Sequence, residues 1–193
     1  LQKTIELKPD FAEAHFNLGK ILNDLGNIQE AVLSYRKAIE LKHDFAEAHY
    51  NLGIILKNLG KLKEAELSYR KAIELNPDFA DAHSNLGNIL RDLGKLQEAE
   101  LSYRKAIEIK SDYAEAHYNL GNILKDIGKL QEAELCYRKA IEIKPNYAEA
   151  HYNLANTLKD IGKSKEAELS YRKAIEIKPD YADAYNNLGI ILK

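Results

Sequence analysis

Cysteine is nearly absent from this chain: Cys136 is the single one, so no internal disulfide can form and thiolates alone cannot build a zinc site. No stretch approaches the ~18–20 consecutive apolar residues that a membrane helix needs. Residues 1–20 lack the basic start and apolar block of a signal peptide. A strong charge of either sign is also missing, with 28 Lys+Arg against 30 Asp+Glu, which leaves no electrostatic footprint for nucleic acid. Proline and glycine are sparse, at 4 and 10 in 193 residues. What is present is 45% apolar, enough for a core and against wholesale disorder. The length allows one or two globular domains or one extended repeat array. The expectation is a soluble, cytoplasmic protein with neither a membrane nor a nucleic acid as partner.

The few glycines and prolines are spaced by rule. One glycine series is Gly26, Gly60, Gly94, Gly128 and Gly162; the other is Gly19, Gly53, Gly87, Gly121 and Gly189, with Ala155 filling its gap. Each step is 34 residues or twice that. Pro9, Pro77, Pro145 and Pro179 share one phase, where His43 and Ser111 substitute. A period of this size means repeat architecture. Complete units are 12–45, 46–79, 80–113, 114–147 and 148–181; residues 1–11 read as the end of a preceding unit and 182–193 as the first helix of a sixth. The chain begins with Leu1 and stops inside a unit, so we expect a segment of a longer array, folded as one domain.

Each unit reads as two helices. The pairs Asp10/Glu13, Asp44/Glu47, Asp78/Asp81, Asp112/Glu115 and Asn146/Glu149 have capping-box spacing, with the first residue expected to accept from orphan backbone N–H groups. The Leu-Gly or Ile-Gly that follows predicts a left-handed C-terminal cap. Glycine within a helix costs about 1 kcal/mol against alanine, so the second series predicts a close approach, expected against Ala31, Ala65, Ala99, Ala133 and Ala167. The pairs Glu66/Arg70, Glu100/Arg104, Glu134/Arg138 and Glu168/Arg172 stand at i, i+4 and predict a solvated face, each adding only ~0.3–0.5 kcal/mol.

Asn-Leu-Gly, Leu-Gly, Glu-Ala, Tyr-Arg-Lys-Ala and Pro-Asp on this period resemble the tetratricopeptide repeat (TPR). The resemblance covers the whole chain and implies an all-α, right-handed superhelical solenoid of antiparallel helix pairs that binds protein or peptide on a concave face lined by first helices. Position 4, often tryptophan in the family, is His15, His49, His83, His117 and His151, then Tyr185. The Ala-His-Tyr-Asn-Leu-Gly style resembles the TPR region of O-linked N-acetylglucosamine transferases and related bacterial fusion proteins. That likeness implies an asparagine ladder gripping an extended polypeptide, matched by Asn17, Asn51, Asn85, Asn119, Asn153 and Asn187.

The ladder also has a reason of its own. A primary amide both donates and accepts, so it can pair with any peptide unit, and repeat solenoids expose a continuous surface. Residues i, i+4, i+7 and i+11 share a helix face. They give Asp81-Asn85-Asn88-Asp92, Glu115-Asn119-Asn122-Asp126 and Glu149-Asn153-Asn156-Asp160 in the third to fifth units. The first two give Glu13-Asn17-Lys20-Asp24 and Glu47-Asn51-Ile54-Asn58. Phe16, Tyr50, Tyr118 and Tyr152 lie alongside, with Ser84 the exception; Lys57, Arg91, Lys125 and Lys159 flank the stripe. Carboxylates bracketing amides predict a neutral or basic extended peptide, since like charge would reject an acidic tail.

Zinc needs several ligands at one point, whereas each first helix offers one histidine, so packing is the better reading. Cys136, where other units have serine, reads as incidental, and Tyr35, Tyr69, Tyr103, Tyr137 and Tyr171 as core. No phosphate loop, nucleophile elbow or His-Glu-x-x-His occurs, and near-identical carboxylates supply no singular site for acid–base chemistry. A non-catalytic scaffold without cofactor or metal is the expectation. Two alternatives are a substrate-recruiting segment of a larger, glycosyltransferase-like enzyme, and head-to-tail self-association through unpaired terminal helices.

Overall fold

The computed structural model describes residues 8–192; most of the expected segment 1–11 and of its unpaired helix lies outside them. Among the described residues the chain is all-α, with no strand. It falls into two compact units, residues 1–94 and 95–193. The first holds α1 (Ala12–Asp24), α2 (Ile28–Leu41), α3 (Ala46–Asn58), α4 (Leu62–Leu75) and α5 (Ala80–Asp92). The second holds α6 (Leu96–Ile109), α7 (Ala114–Asp126), α8 (Leu130–Ile143), α9 (Ala148–Asp160), α10 (Ser164–Ile177) and α11 (Ala182–Ile191). Within each unit every helix packs on the next in sequence, and the three-residue links between α1 and α2, α3 and α4, α7 and α8, and α9 and α10 make those pairs antiparallel.

The links follow from backbone chemistry. Gly26 sits at φ 78°, a conformation that side-chain-bearing residues rarely adopt. There Asn27 N–H reaches the Leu22 carbonyl at 2.8 Å and Gly26 N–H the Asn23 carbonyl at 3.0 Å, which is the Schellman pattern. The other four glycines of that series also have positive φ, as expected.

The helix starts differ from the capping-box expectation. The cap residue is the aromatic after the acid: Phe11, Phe45, Phe79, Tyr113, Tyr147 or Tyr181, none with a side-chain capping bond. Asp10 lies instead in a turn closed by Phe11 N–H to the Lys8 carbonyl at 3.2 Å, a turn repeated by Phe45 to Lys42, Phe79 to Asn76 and Tyr181 to Lys178. At four of these six starts the cap residue's ring packs on an aromatic of the preceding first helix. Phe45 meets Phe16 with centroids 4.8 Å apart, Phe79 meets Tyr50 at 4.6 Å, and Tyr147 meets Tyr118 at 4.8 Å. Such ring pairs contribute about 0.5–1.5 kcal/mol beyond their area, comparable to the cap bond forgone.

The core between helices is built from small and flat groups. Ala14, Ala48, Ala116 and Ala150 on first helices, and Ala31, Ala65, Ala133 and Ala167 on second helices, are fully or almost fully buried. The close approach at the second glycine series is made by tyrosine, not by the alanines. A Cβ on Gly19 would lie 2.9 Å from the Tyr35 ring, on Gly53 2.8 Å from Tyr69, and on Gly121 2.6 Å from Tyr137. A flat ring laid on bare backbone needs more clearance than a methyl group does, which is why glycine recurs here.

The Glu/Arg pairs also differ from expectation. The Glu66, Glu100 and Glu134 side chains are only 9–12% exposed. Glu100 and Glu134 each belong to a larger array: Glu100 binds Arg104 and Lys129; Glu134 binds Arg138 of its own helix and Lys163 Nζ beyond it, at 2.9 Å each. Arg104 likewise reaches Glu132 at 2.7 Å and Arg36 reaches Glu64 at 3.3 Å. These side chains staple one helix pair to the next instead of facing water alone.

Candidate functional site

The first helices put the candidate residues on one stripe per unit, and their hydrogen bonds run between helices. In residues 95–193, Asn153 on α9 donates both amide hydrogens to α7, to Tyr118 Oη at 3.0 Å and Asn122 Oδ1 at 3.0 Å. Asn187 on α11 does the same to α9, to Tyr152 Oη and Asn156 Oδ1 at 3.1 Å each. The acceptors are held from below: Tyr137 Oη donates to Asn122 Oδ1 at 2.8 Å and Tyr171 Oη to Asn156 Oδ1 at 2.6 Å. The ladder is thus a chain of tyrosine, asparagine, asparagine and tyrosine. An amide free to donate and accept at once is not what Asn153 and Asn187 present. Their donors are spent, their carbonyl oxygens have no partner among the described residues, and the Asn122 and Asn156 amide nitrogens are likewise uncommitted.

In residues 1–94 the arrangement is sparser. Asn85 Nδ2 donates to Tyr50 Oη at 3.0 Å, and Asn88 Nδ2 lies 3.4 Å from Asn85 Oδ1. Asn17 is exposed and Asn51 half-buried. Asn119, in the other unit, is half-buried and engaged. Ile54 occupies the phase of Asn88, Asn122 and Asn156, and there the Tyr69 hydroxyl is buried without a partner.

The aromatic residues beside the stripe are held on both flanks. Tyr50 lies between Tyr69 (5.9 Å) and Phe79, Tyr118 between Tyr137 (6.0 Å) and Tyr147, and Tyr152 between Tyr171 (5.9 Å) and Tyr181. They are half-buried, with hydroxyls turned to the asparagines. Ser84 is buried.

Carboxylates on the stripe are of two kinds. Glu13 pairs with Lys42 at 3.3 Å, Glu115 with Lys144 at 3.1 Å and Asp92 with Arg91 at 3.2 Å. Lys144 also covers the Tyr147 ring at 4.6 Å. Asp126 and Asp160 are exposed and form no ion pair among the described residues. Burial and then the neighbouring rings and carboxylates push the Tyr171 phenol up to about 12, and burial raises Tyr137 further, so both hydroxyls keep their protons and act as donors. Reading the sequence as core packing missed the hydroxyls of Tyr137 and Tyr171; the signal was there, since each falls 15 residues after a stripe asparagine.

Elsewhere the histidines are structural. Nε2 of His15, His83, His117 and His151 lies 2.9–3.0 Å from the carbonyl six residues earlier, tying helix to turn. The His49 Nε2 is buried with no partner in bonding geometry. Burial lowers the pKa of His151, against a backbone bond to Pro145 that raises it. Burial pushes the Cys136 thiol up to about 11, against a nucleophilic role. Among the described residues no three His, Cys, Asp or Glu side chains converge as a metal site, and no helix is long and apolar enough to cross a membrane.

These features match known proteins. A family profile described as TPR repeat matches residues 19–60, 87–128, 121–162 and 155–193, and others described as tetratricopeptide repeat match 46–79, 1–32 and 68–100. The chain belongs to the tetratricopeptide repeat family. Among solved structures it is similar to YrrB, described as a TPR protein with an unusual peptide-binding site (28% identity, 96% of each chain covered, TM-score 0.84). It is also similar to MamA (25% identity, 89% of this chain and 94% of that one, TM-score 0.80). MamA residues 41-end from Desulfovibrio magneticus RS-1, at 21% identity over 88% and 96% with TM-score 0.80, share the fold. No curated protein sequence matches the chain. TPR proteins are in general non-catalytic scaffolds for protein–protein interaction.

Proposed function

We propose that this chain is a non-catalytic scaffold whose first-helix stripe binds an extended peptide, neutral or basic, with each 34-residue helix pair contributing one asparagine to the grip. The observation that carries this reading is the alternation of uncommitted acceptors and donors on α7, α9 and α11: Asn153 and Asn187 Oδ1 with Asn122 and Asn156 Nδ2. An extended peptide offers N–H and C=O groups in the same alternation, whatever its side chains. Asp126 and Asp160, unpaired beside that ladder, favour a cationic side chain and disfavour an acidic one. The similarity in fold to YrrB, described as a TPR protein with an unusual peptide-binding site, supports the same class of ligand. Within residues 95–193 Asn119 extends the site by phase, with Tyr118 and Tyr152 as its aromatic wall; in residues 1–94 Asn17, Asn51 and Asn85 hold the same phase beside Tyr50.

A peptide array read by fluorescence anisotropy tests this. Basic and neutral peptides should bind better than Asp/Glu-rich ones, and Asp126→Asn with Asp160→Asn should erase that ranking. Asn153→Ala with Asn187→Ala should weaken all peptides alike, each lost hydrogen bond costing about 1 kcal/mol or roughly fivefold in Kd. Enrichment of acidic peptides, or unchanged binding by the asparagine variant, sinks the proposal.

A further inference from the structure

Within residues 95–193 the ladder has a spacing as well as a chemistry. Side-chain hydrogen bonds of 3.0–3.1 Å tie α9 directly to α7 and α11 directly to α9. Helices in direct side-chain contact have axes about 8–10 Å apart, so the asparagines repeat at about that interval. Four residues beyond Asn122 and Asn156, on the same helix face, stand Asp126 and Asp160, both exposed and in no ion pair among the described residues. Lys125 and Lys159, next to them in sequence, leave the helix about 100° round from that face. One step of the ladder therefore joins two open carboxylates just as it joins two equivalent amide pairs.

That interval discriminates between the two extended conformations a bound peptide can take. A β-strand advances about 3.3 Å per residue with side chains alternating, so one face recurs every ~6.6 Å and next at ~13 Å. Polyproline II has about three residues per turn at ~3.1 Å rise, so one face recurs every ~9.3 Å. Polyproline II thus brings an equivalent peptide unit to each successive first helix, and a β-strand does not. Its backbone forms no internal hydrogen bonds, which leaves N–H groups for Asn153 and Asn187 Oδ1 and carbonyls for Asn122 and Asn156 Nδ2. One N–H in three is used at each step, so proline, which has none, is admissible at the other two positions.

Resting on the peptide-binding reading above, we infer that the stripe of α7, α9 and α11 selects a polyproline II segment whose basic residues stand three apart, Lys/Arg-x-x-Lys/Arg, one cation to Asp126 and the next to Asp160. With cations two apart or adjacent, the first meets a carboxylate and the second falls between helices. Selection therefore comes from matching the peptide's turn to the step of the ladder, on top of any preference for positive charge. A segment already in polyproline II loses less freedom on binding, which favours proline between the cations.

Fluorescence anisotropy of the full chain with three peptides of one composition, equal parts Lys, Ala and Gln, tests this. Their lysines stand three apart, two apart or adjacent, so net charge is the same in all. The first should bind about fivefold tighter than the others, the worth of one further charged contact. Asp126→Asn with Asp160→Asn, both changes in exposed side chains, should bring the three together. Asn153→Ala with Asn187→Ala should weaken all three alike, which reports on the grip apart from the spacing. Replacing Ala by Pro in the first peptide, as Lys-Pro-Gln or Lys-Gln-Pro repeats, should preserve or improve binding in at least one register. Equal affinity for the three spacings, or loss of binding with proline in both registers, overturns this inference and leaves peptide binding itself intact. Failure of every peptide to bind overturns both.

Discussion

The Tyr69 hydroxyl is buried without a partner, whereas those of Tyr137 and Tyr171 each donate to an asparagine. One residue makes the difference, Ile54 standing where the other two repeats have Asn122 and Asn156. Removing a bonded hydroxyl should therefore cost stability, and removing an unbonded one should not. Tyr137→Phe and Tyr171→Phe are each expected to lower the free energy of unfolding by about 1 kcal/mol. Tyr69→Phe is expected to be neutral or stabilising, and urea titrations of the three variants check the contrast. Equal losses in all three would mean that Tyr69 finds a partner in solution.

Between helices, side chains that look local in sequence act as staples. Burial raises the pKa of the Glu134 carboxyl, but hydrogen bonds from Lys163 and Arg138 together outweigh it and hold the group below its ordinary 4.5. The folded state therefore binds fewer protons than the unfolded one near and below that value. The resulting stability is complete above about pH 4.5 and declines as pH falls through the folded value. Arg138 and Lys163 remain 44–46% exposed, which screens the pairs. Glu134→Gln should thus cost about 1–2 kcal/mol at pH 7, less than a fully buried pair would. The gap between variant and parent should close in acid, and thermal melts at pH 7 and pH 3 measure it. How much of this was legible differs from residue to residue. The helix pairs and the left-handed Gly26 followed from periodicity, because one glycine per repeat leaves few alternatives. The aromatic helix caps did not, because Asp10 and Phe11 recur with the same period and the pattern alone does not say which of the two begins the helix. Likewise alanine and tyrosine recur in step on every second helix, and periodicity cannot say which one meets Gly53. The stripe asparagines recur at one phase of the sequence, but the partners of Asn153 and Asn187 lie 31 and 35 residues away, beyond what a helix-face pattern encodes.

At the scale of the whole chain, two compact units are each held by contacts between neighbours, so damage should spread little. A methyl group at Gly53 would sit 2.8 Å from the fully buried ring of Tyr69, so that ring or its helix must shift, as the pairing of Ala155 with Tyr171 accommodates in the last complete repeat. Gly53→Ala is expected to cost about 1–3 kcal/mol, the range for overpacking. Hydrogen exchange should show the loss of protection concentrated in helices of residues 1–94 and small in residues 95–193; a uniform loss would contradict this. The same contact bears on how such a gene can change. Three glycines of the series face the tyrosine 16 residues on, at Gly19/Tyr35, Gly53/Tyr69 and Gly121/Tyr137. Recombination that joins two copies of the motif in phase leaves every bare-backbone seat opposite its ring, while a junction out of phase drives a side chain into one. Lineages carrying this sequence can therefore gain or lose length by whole hairpins at little cost and by fractions of one hardly at all.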